Sequence, residues 1–88
     1  MDMIRKSTLE EVEQFIGGKP LFDHESGPMY GRYNPENDTL EYGFATNCGF
    51  AANGYFKYDH SCSVHKNIEL LVDEAKRYLR RCGWEVSL

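Results

Sequence analysis

The sequence predicts an α+β fold: a three-stranded antiparallel sheet packed by two helices, in the order α-β-β-β-α. Two observations predict it. Eight of the twelve aromatic residues (Tyr30, Tyr33, Tyr42, Phe44, Phe50, Tyr55, Phe56 and Tyr58) fall between Met29 and Tyr58, with Gly31, Gly43, Gly49 and Gly54 among them. Such a stretch has the composition of a small sheet. On either side of it, apolar residues recur at helical intervals. Strands in one run with helices at its ends give α+β, whereas a crossover fold would alternate them.

The first helix is expected from about Thr8 to Ile16. Ser7 and Thr8 precede Glu10 and Glu11 at capping-box spacing. Leu9, Val12 and Ile16 form its apolar stripe, and Gly17-Gly18 stops it. Residues 17–28 read as a loop, opened by Lys19-Pro20 and closed by Gly27-Pro28, with Leu21 and Phe22 pinning it to the core. Met29 to Tyr33 reads as the first strand, and Asn34-Pro35-Glu36-Asn37-Asp38 as a turn. Thr39 to Thr46 reads as the second strand, with Leu40, Tyr42 and Phe44 on one face and Glu41, Gly43 and Ala45 on the other.

Asn47-Cys48-Gly49 is expected to bend or bulge the chain. Asn53-Gly54 is the dipeptide best suited to a two-residue type I′ hairpin, since both central residues there need positive φ. That turn would pair Ala52 with Tyr55, Ala51 with Phe56 and Gly49 with Tyr58. From about Val64 to Cys82 the chain is an amphipathic helix, with Ile68, Leu71, Val72, Ala75, Leu79 and Cys82 on one side. Asp73 and Arg77 are spaced as a stabilising pair, and Gly83 caps the end. Trp84 to Leu88 is a tail or a fourth, edge strand. The core is expected to contain Leu9, Val12, Ile16, Leu40, Tyr42, Phe44, Phe56, Ile68, Leu71, Val72, Ala75 and Leu79.

At 88 residues, the whole chain, 1–88, reads as a single domain with one modest core and little room for a deep cleft. The net charge of −4 is uneven. Residues 1–41 carry nine acids against four bases, and residues 42–88 five acids against six bases. Three cysteines, Cys48, Cys62 and Cys82, are an odd number without framework spacing, which argues against a disulfide-stapled secreted domain. No run approaches the length of a membrane span, and Met1 to Lys6 lack the apolar core of a signal peptide. A cytoplasmic location is the expectation.

Chemistry-bearing clusters are few. Cys48, His60, Cys62 and His65 offer four donors of the kind zinc takes, although His60-x-Cys62 is tighter than the usual ligand gap. Cys62, ahead of a predicted helix, is also a candidate nucleophile, with His60 or His65 as base and Asp59 as orienter. No oxyanion hole is readable beside it, and the glycines match neither nucleotide-binding fingerprint. The expectation is therefore no catalytic residue, no metal and no cofactor.

The predicted order of elements, with Gly27-Pro28 ahead of the first strand, resembles that of double-stranded RNA-binding domains. The resemblance covers topology alone. It implies a lysine cluster at the start of the last helix, where this chain has Ser63-Val64-His65-Lys66-Asn67. Phosphate contacts supply most nucleic-acid affinity. A chain at −4, with its basic residues Lys76, Arg77, Arg80 and Arg81 gathered at one helix end, is poorly equipped for them.

What remains is recognition of a protein. Tyrosine buries a large ring and keeps a hydroxyl for hydrogen bonding. The candidate partner-binding residues are Tyr30, Arg32, Glu36, Asp38, Glu41 and Tyr55. Glu36, Asp38 and Glu41 would form an acidic edge that steers a basic partner. Size and composition suit a small accessory protein of a phage or mobile element that inhibits a host system. The alternatives are a small ligand held by a homodimer, because a monomer this size has no room for a large cavity, and a zinc or cysteine site around Cys62.

Overall fold

The computed structural model describes residues 3–87; Met1, Asp2 and Leu88 lie outside the described residues. Its elements are α1 (Met3–Ile16), β1 (Met29–Asn34), β2 (Thr39–Thr46), β3 (Gly49–Lys57) and α2 (Val64–Arg81). The strands form one antiparallel sheet in the order β1-β2-β3. This is the α+β arrangement that the sequence predicts.

Helix α1 begins more than a turn before its expected start. Thr8 is buried inside it, and its hydroxyl donates to the Ile4 carbonyl at 2.9 Å. A threonine that bonds back one turn is part of the helix interior, so the capping-box reading of Ser7 and Thr8 fails. The stop is as expected: Gly17 and Gly18 take φ of +59° and +75°. In α2, Ser63 is the N-cap, its hydroxyl accepting from the Lys66 N–H at 3.1 Å. Arg77 pairs with Glu74 at 3.0 Å instead of with Asp73.

The largest correction concerns Asn53-Gly54. These residues lie inside β3, and the chain reverses at Asn47-Cys48, where Thr46 pairs with Gly49. Positive φ falls on Gly49, at +113°, and on neither Asn53 nor Gly54. Ala52 therefore pairs with Gly43, Ala51 with Phe44 and Tyr55 with Glu41. Asn53 is the extra residue of a bulge, because Tyr42 faces Gly54 while the next residue, Gly43, faces Ala52. Gly54 is needed for room, since a Cβ there would run into the Tyr42 phenol.

Residues directly opposite one another share a sheet face. One face carries Met29, Gly31, Tyr33, Leu40, Tyr42, Phe44 and Phe56, and both helices cover it. A Cβ on Gly31 would lie 2.7 Å from a Leu71 methyl of α2, and the Tyr42 ring packs 5.7 Å from that of Tyr78. The buried core is Val12, Met29, Tyr33, Leu40, Tyr42, Tyr58, Ile68, Leu71, Ala75 and Leu79. Leu9, Ile16, Phe44 and Phe56 pack half-buried against it. Val72 does not join it; it lies beside Phe15 in a surface groove between the helices. Trp84–Ser87 form no strand, and the Trp84 ring packs against His24 at 4.9 Å.

Candidate binding face

Among the described residues, no helix covers the second sheet face. The strand registers place on it Tyr30 and Arg32 from β1, Glu41, Gly43 and Ala45 from β2, and Phe50, Ala52, Tyr55 and Lys57 from β3. Three of the candidate residues fall in a single cross-strand row, because Arg32 pairs with Glu41 and Glu41 with Tyr55. Tyr55 is 70% exposed. Tyr30 is half-buried in the neighbouring row, opposite Gly43.

Arg32 organises this face. Its Nε donates to Glu41 Oε1 at 2.5 Å, and its guanidinium carbon lies 4.8 Å from the Phe50 ring centroid. Gly43 has no room for a side chain, since a Cβ there would run into the Ala51 carbonyl of β3, so β2 puts no side chain between Arg32 and Phe50 at that position. An arginine fixed by a carboxylate and a ring loses less side-chain freedom when a partner docks. The face carries Arg32 and Lys57 against one acid, Glu41, which Arg32 already engages. It is a neutral-to-positive surface on an acidic chain.

The acidic edge is not assembled. Glu36 is exposed in the β1–β2 turn, whereas Glu41 is held by Arg32. Asp38 is only 6% exposed and points inward. Its carboxylate accepts a hydrogen bond from the Tyr33 hydroxyl and lies 2.8 Å from His60 Nε2. Its backbone carbonyl accepts the Tyr58 N–H at 3.0 Å. Burial by itself pushes the Asp38 carboxyl up; the hydrogen bonds from Tyr33 and His60, with the charges of His60 and Lys57, outweigh burial and hold it below its ordinary value. Asp38 has φ of +56°, a conformation that aspartate tolerates better than most residues. These contacts tie the β1–β2 turn to the segment after β3.

The same segment is fastened from below by Asn67. This fully buried residue accepts the Asp59 N–H at 2.9 Å and donates to the carbonyls of Asp59 and Ser63, each at 2.9 Å. Cys62 and His60 share the wall of a shallow cavity of about 370 Å³ with Ser7, Thr8, Glu11 and Tyr58. Each is engaged elsewhere: the Cys62 thiol donates to Asp59 Oδ2 at 3.4 Å, and His60 faces Asp38. The thiol–imidazole contact of an activated nucleophile is not formed. His65 turns to Glu69 on α2 at 3.0 Å, and Cys48 lies in the β2–β3 turn. Among the described residues, no group of three or more His, Cys, Asp or Glu side chains is placed to hold a metal ion. All three cysteines are free thiols.

Sequence reasoning missed Phe50 and Lys57 on the open face. Phe50 was readable as an aromatic, but its face is set by the turn at Asn47-Cys48, which puts it opposite Ala45, and the Asn53-Gly54 turn signal concealed that register. Asn67 gave one signal, a polar residue on the apolar side of a helix one turn from its start.

Comparison with protein-family models, with curated proteins and with solved structures found no match to this chain. No helix among the described residues is long and apolar enough to cross a membrane.

Proposed function

We propose that this chain is a non-enzymatic binding module that docks a protein partner on the open face of its sheet. It acts by steric blocking, as a cytoplasmic accessory protein of a phage or mobile element that inhibits a host system. The observation that carries the reading is Tyr55: 70% exposed, on the edge strand β3 of a sheet face that no helix covers, one row from Tyr30 and in the same cross-strand row as a pre-positioned Arg32. Tyrosine and arginine are among the residues that most often carry interface energy. The charge of the face specifies the partner further. Arg32 and Lys57 stand against an acid that is already paired, so the complementary surface is neutral or acidic. This replaces the basic partner that an acidic edge would have selected.

The test is a tagged pull-down from the native host, read by mass spectrometry, with wild type beside Tyr55→Ala. Tyr55 packs little against the core, so the variant folds with an unchanged far-UV circular dichroism spectrum. The expected result is one protein recovered in near-equal amount with wild type and lost at least tenfold with Tyr55→Ala. A partner recovered equally by both sinks the reading.

A further inference from the structure

We propose that β3 is a self-pairing edge: two copies of this chain join β3 to β3 antiparallel, about a two-fold axis between Asn53 and Gly54, and make one six-stranded sheet. This stands apart from the reading of the open face, because it uses the backbone edge of one strand.

The two edges of the sheet differ. The β1 edge is partly closed, since the Leu21 N–H donates to the Met29 carbonyl at 2.7 Å and the Met29 N–H to the Phe22 carbonyl at 3.0 Å. Among the described residues, no backbone hydrogen bond joins the outer edge of β3 to any other segment. The tail does not reach it, because Trp84 is held by His24 in the α1–β1 loop. An uncovered edge presents a row of N–H and C=O groups that template another strand. Natural edges are blunted by prolines, charges and bulges, and of these β3 carries the bulge at Asn53. The β3 segment GFAANGYFK has no proline, no acid and one base, Lys57, at its end.

The pattern of β3 fits a second copy. A two-fold axis between two residues of a regular strand sets opposite-facing side chains against each other. The bulge at Asn53 shifts the alternation by one, and about this axis the faces agree. On the open face Ala52 meets Tyr55 of the other copy, and Phe50 meets Lys57. On the helix-covered face Ala51 meets Phe56. Each small residue faces a large one, and a lysine faces a ring, an attractive arrangement. The two Lys57 ammonium groups sit at opposite ends, roughly 20 Å apart at about 3.3 Å per residue, beyond the Debye length of about 8 Å in physiological salt. No acid of the chain enters the contact, so the net charge of −4 does not oppose it locally. The interface is isologous and closes on itself.

Sedimentation velocity over a concentration series, with amide exchange, tests this. Wild type is expected to pass from monomer to dimer, with the amides of β3 slowing in step. Phe50→Glu sets a carboxylate opposite Lys57 and keeps or tightens the dimer. Adding Lys57→Glu sets carboxylate against carboxylate twice, and raises the dimer dissociation constant at least tenfold with the fold intact by circular dichroism. A monomer at every concentration up to about 1 mM, where interfaces of even −4.1 kcal/mol half-fill, overturns the proposal. So does a dimer indifferent to the double substitution, or one whose slowed amides lie outside β3.

Discussion

Arg32 of β1 reaches across β2 to Phe50 of β3, its guanidinium 4.8 Å from the ring centroid. Side chains two strands apart meet only where the strand between them offers little bulk, and here that strand contributes Gly43. The contact fixes an arginine on an otherwise uncovered sheet. Arg32→Lys keeps the charge but loses the planar fork and the stacking. Because the Arg32 side chain is 53% exposed, the fold should lose less than about 1 kcal/mol. Thermal melting should therefore barely move, while recovery of the partner in pull-down falls several-fold.

Asp38 and His60 serve the fold. Asp38→Ala removes the carboxylate that Tyr33 and His60 engage and puts a poorly suited residue at positive φ. Denaturant unfolding should show a loss of about 1–3 kcal/mol. Asp38→Asn keeps an acceptor and tolerates the backbone, and should lose less.

The same carboxylate gives a pH signature. Its folded-state value is depressed, so its extra stabilisation is fully present above the unfolded carboxyl value of about 3.9 and is lost as pH falls through the lower folded value. The stability difference between wild type and Asp38→Asn should shrink as pH falls below about pH 4. Urea titrations at a series of pH values read it directly. A difference that grows on acidification contradicts the account.

Gly54→Ala tests the bulge. A methyl group there meets the Tyr42 phenol, and overpacking of this kind costs about 1–3 kcal/mol. Tyr42→Leu removes the ring. In a double-mutant cycle, Gly54→Ala should cost markedly less in the Tyr42→Leu background, giving a coupling above about 0.5 kcal/mol. Additive effects would mean that Gly54 is required for a turn instead.

Asn67→Leu should be among the most damaging single changes in the chain. It strips four hydrogen bonds from the Asp59–Ser63 segment and leaves the Asp59 N–H without the Asn67 acceptor, while the Asp59 and Ser63 carbonyls keep only the backbone N–H groups of Cys62 and Asn67. A loss of about 2–4 kcal/mol in chemical denaturation is expected.

Much of the fold was legible because local chemistry and tertiary packing agree. Thr39–Thr46 alternates cleanly, and Gly17-Gly18 and Ser63 mark helix ends in their usual roles. The reading failed where one residue type serves two purposes. Asn-Gly satisfies a hairpin and equally a bulge under a tyrosine ring, and only the register with Tyr42 and Gly43 separates them. Thr8 can cap a helix or bond back inside one, and here it is buried and bonds back to the Ile4 carbonyl. Period-two alternation puts Tyr30 and Arg32, two apart in β1, on one side of the sheet. It could not show that Asp38 turns inward, because that depends on His60, 22 residues away. Nor could it show that Glu41 is spent on Arg32.

The most direct measurement is hydroxyl-radical footprinting of the chain, alone and with its captured host protein. The account predicts that Tyr55 and Phe50 become protected on binding while Trp84 and Met3, exposed on the helical side, keep their reactivity. Protection confined to Met3, Phe15 or Trp84, with Tyr55 still reactive in the complex, would contradict it.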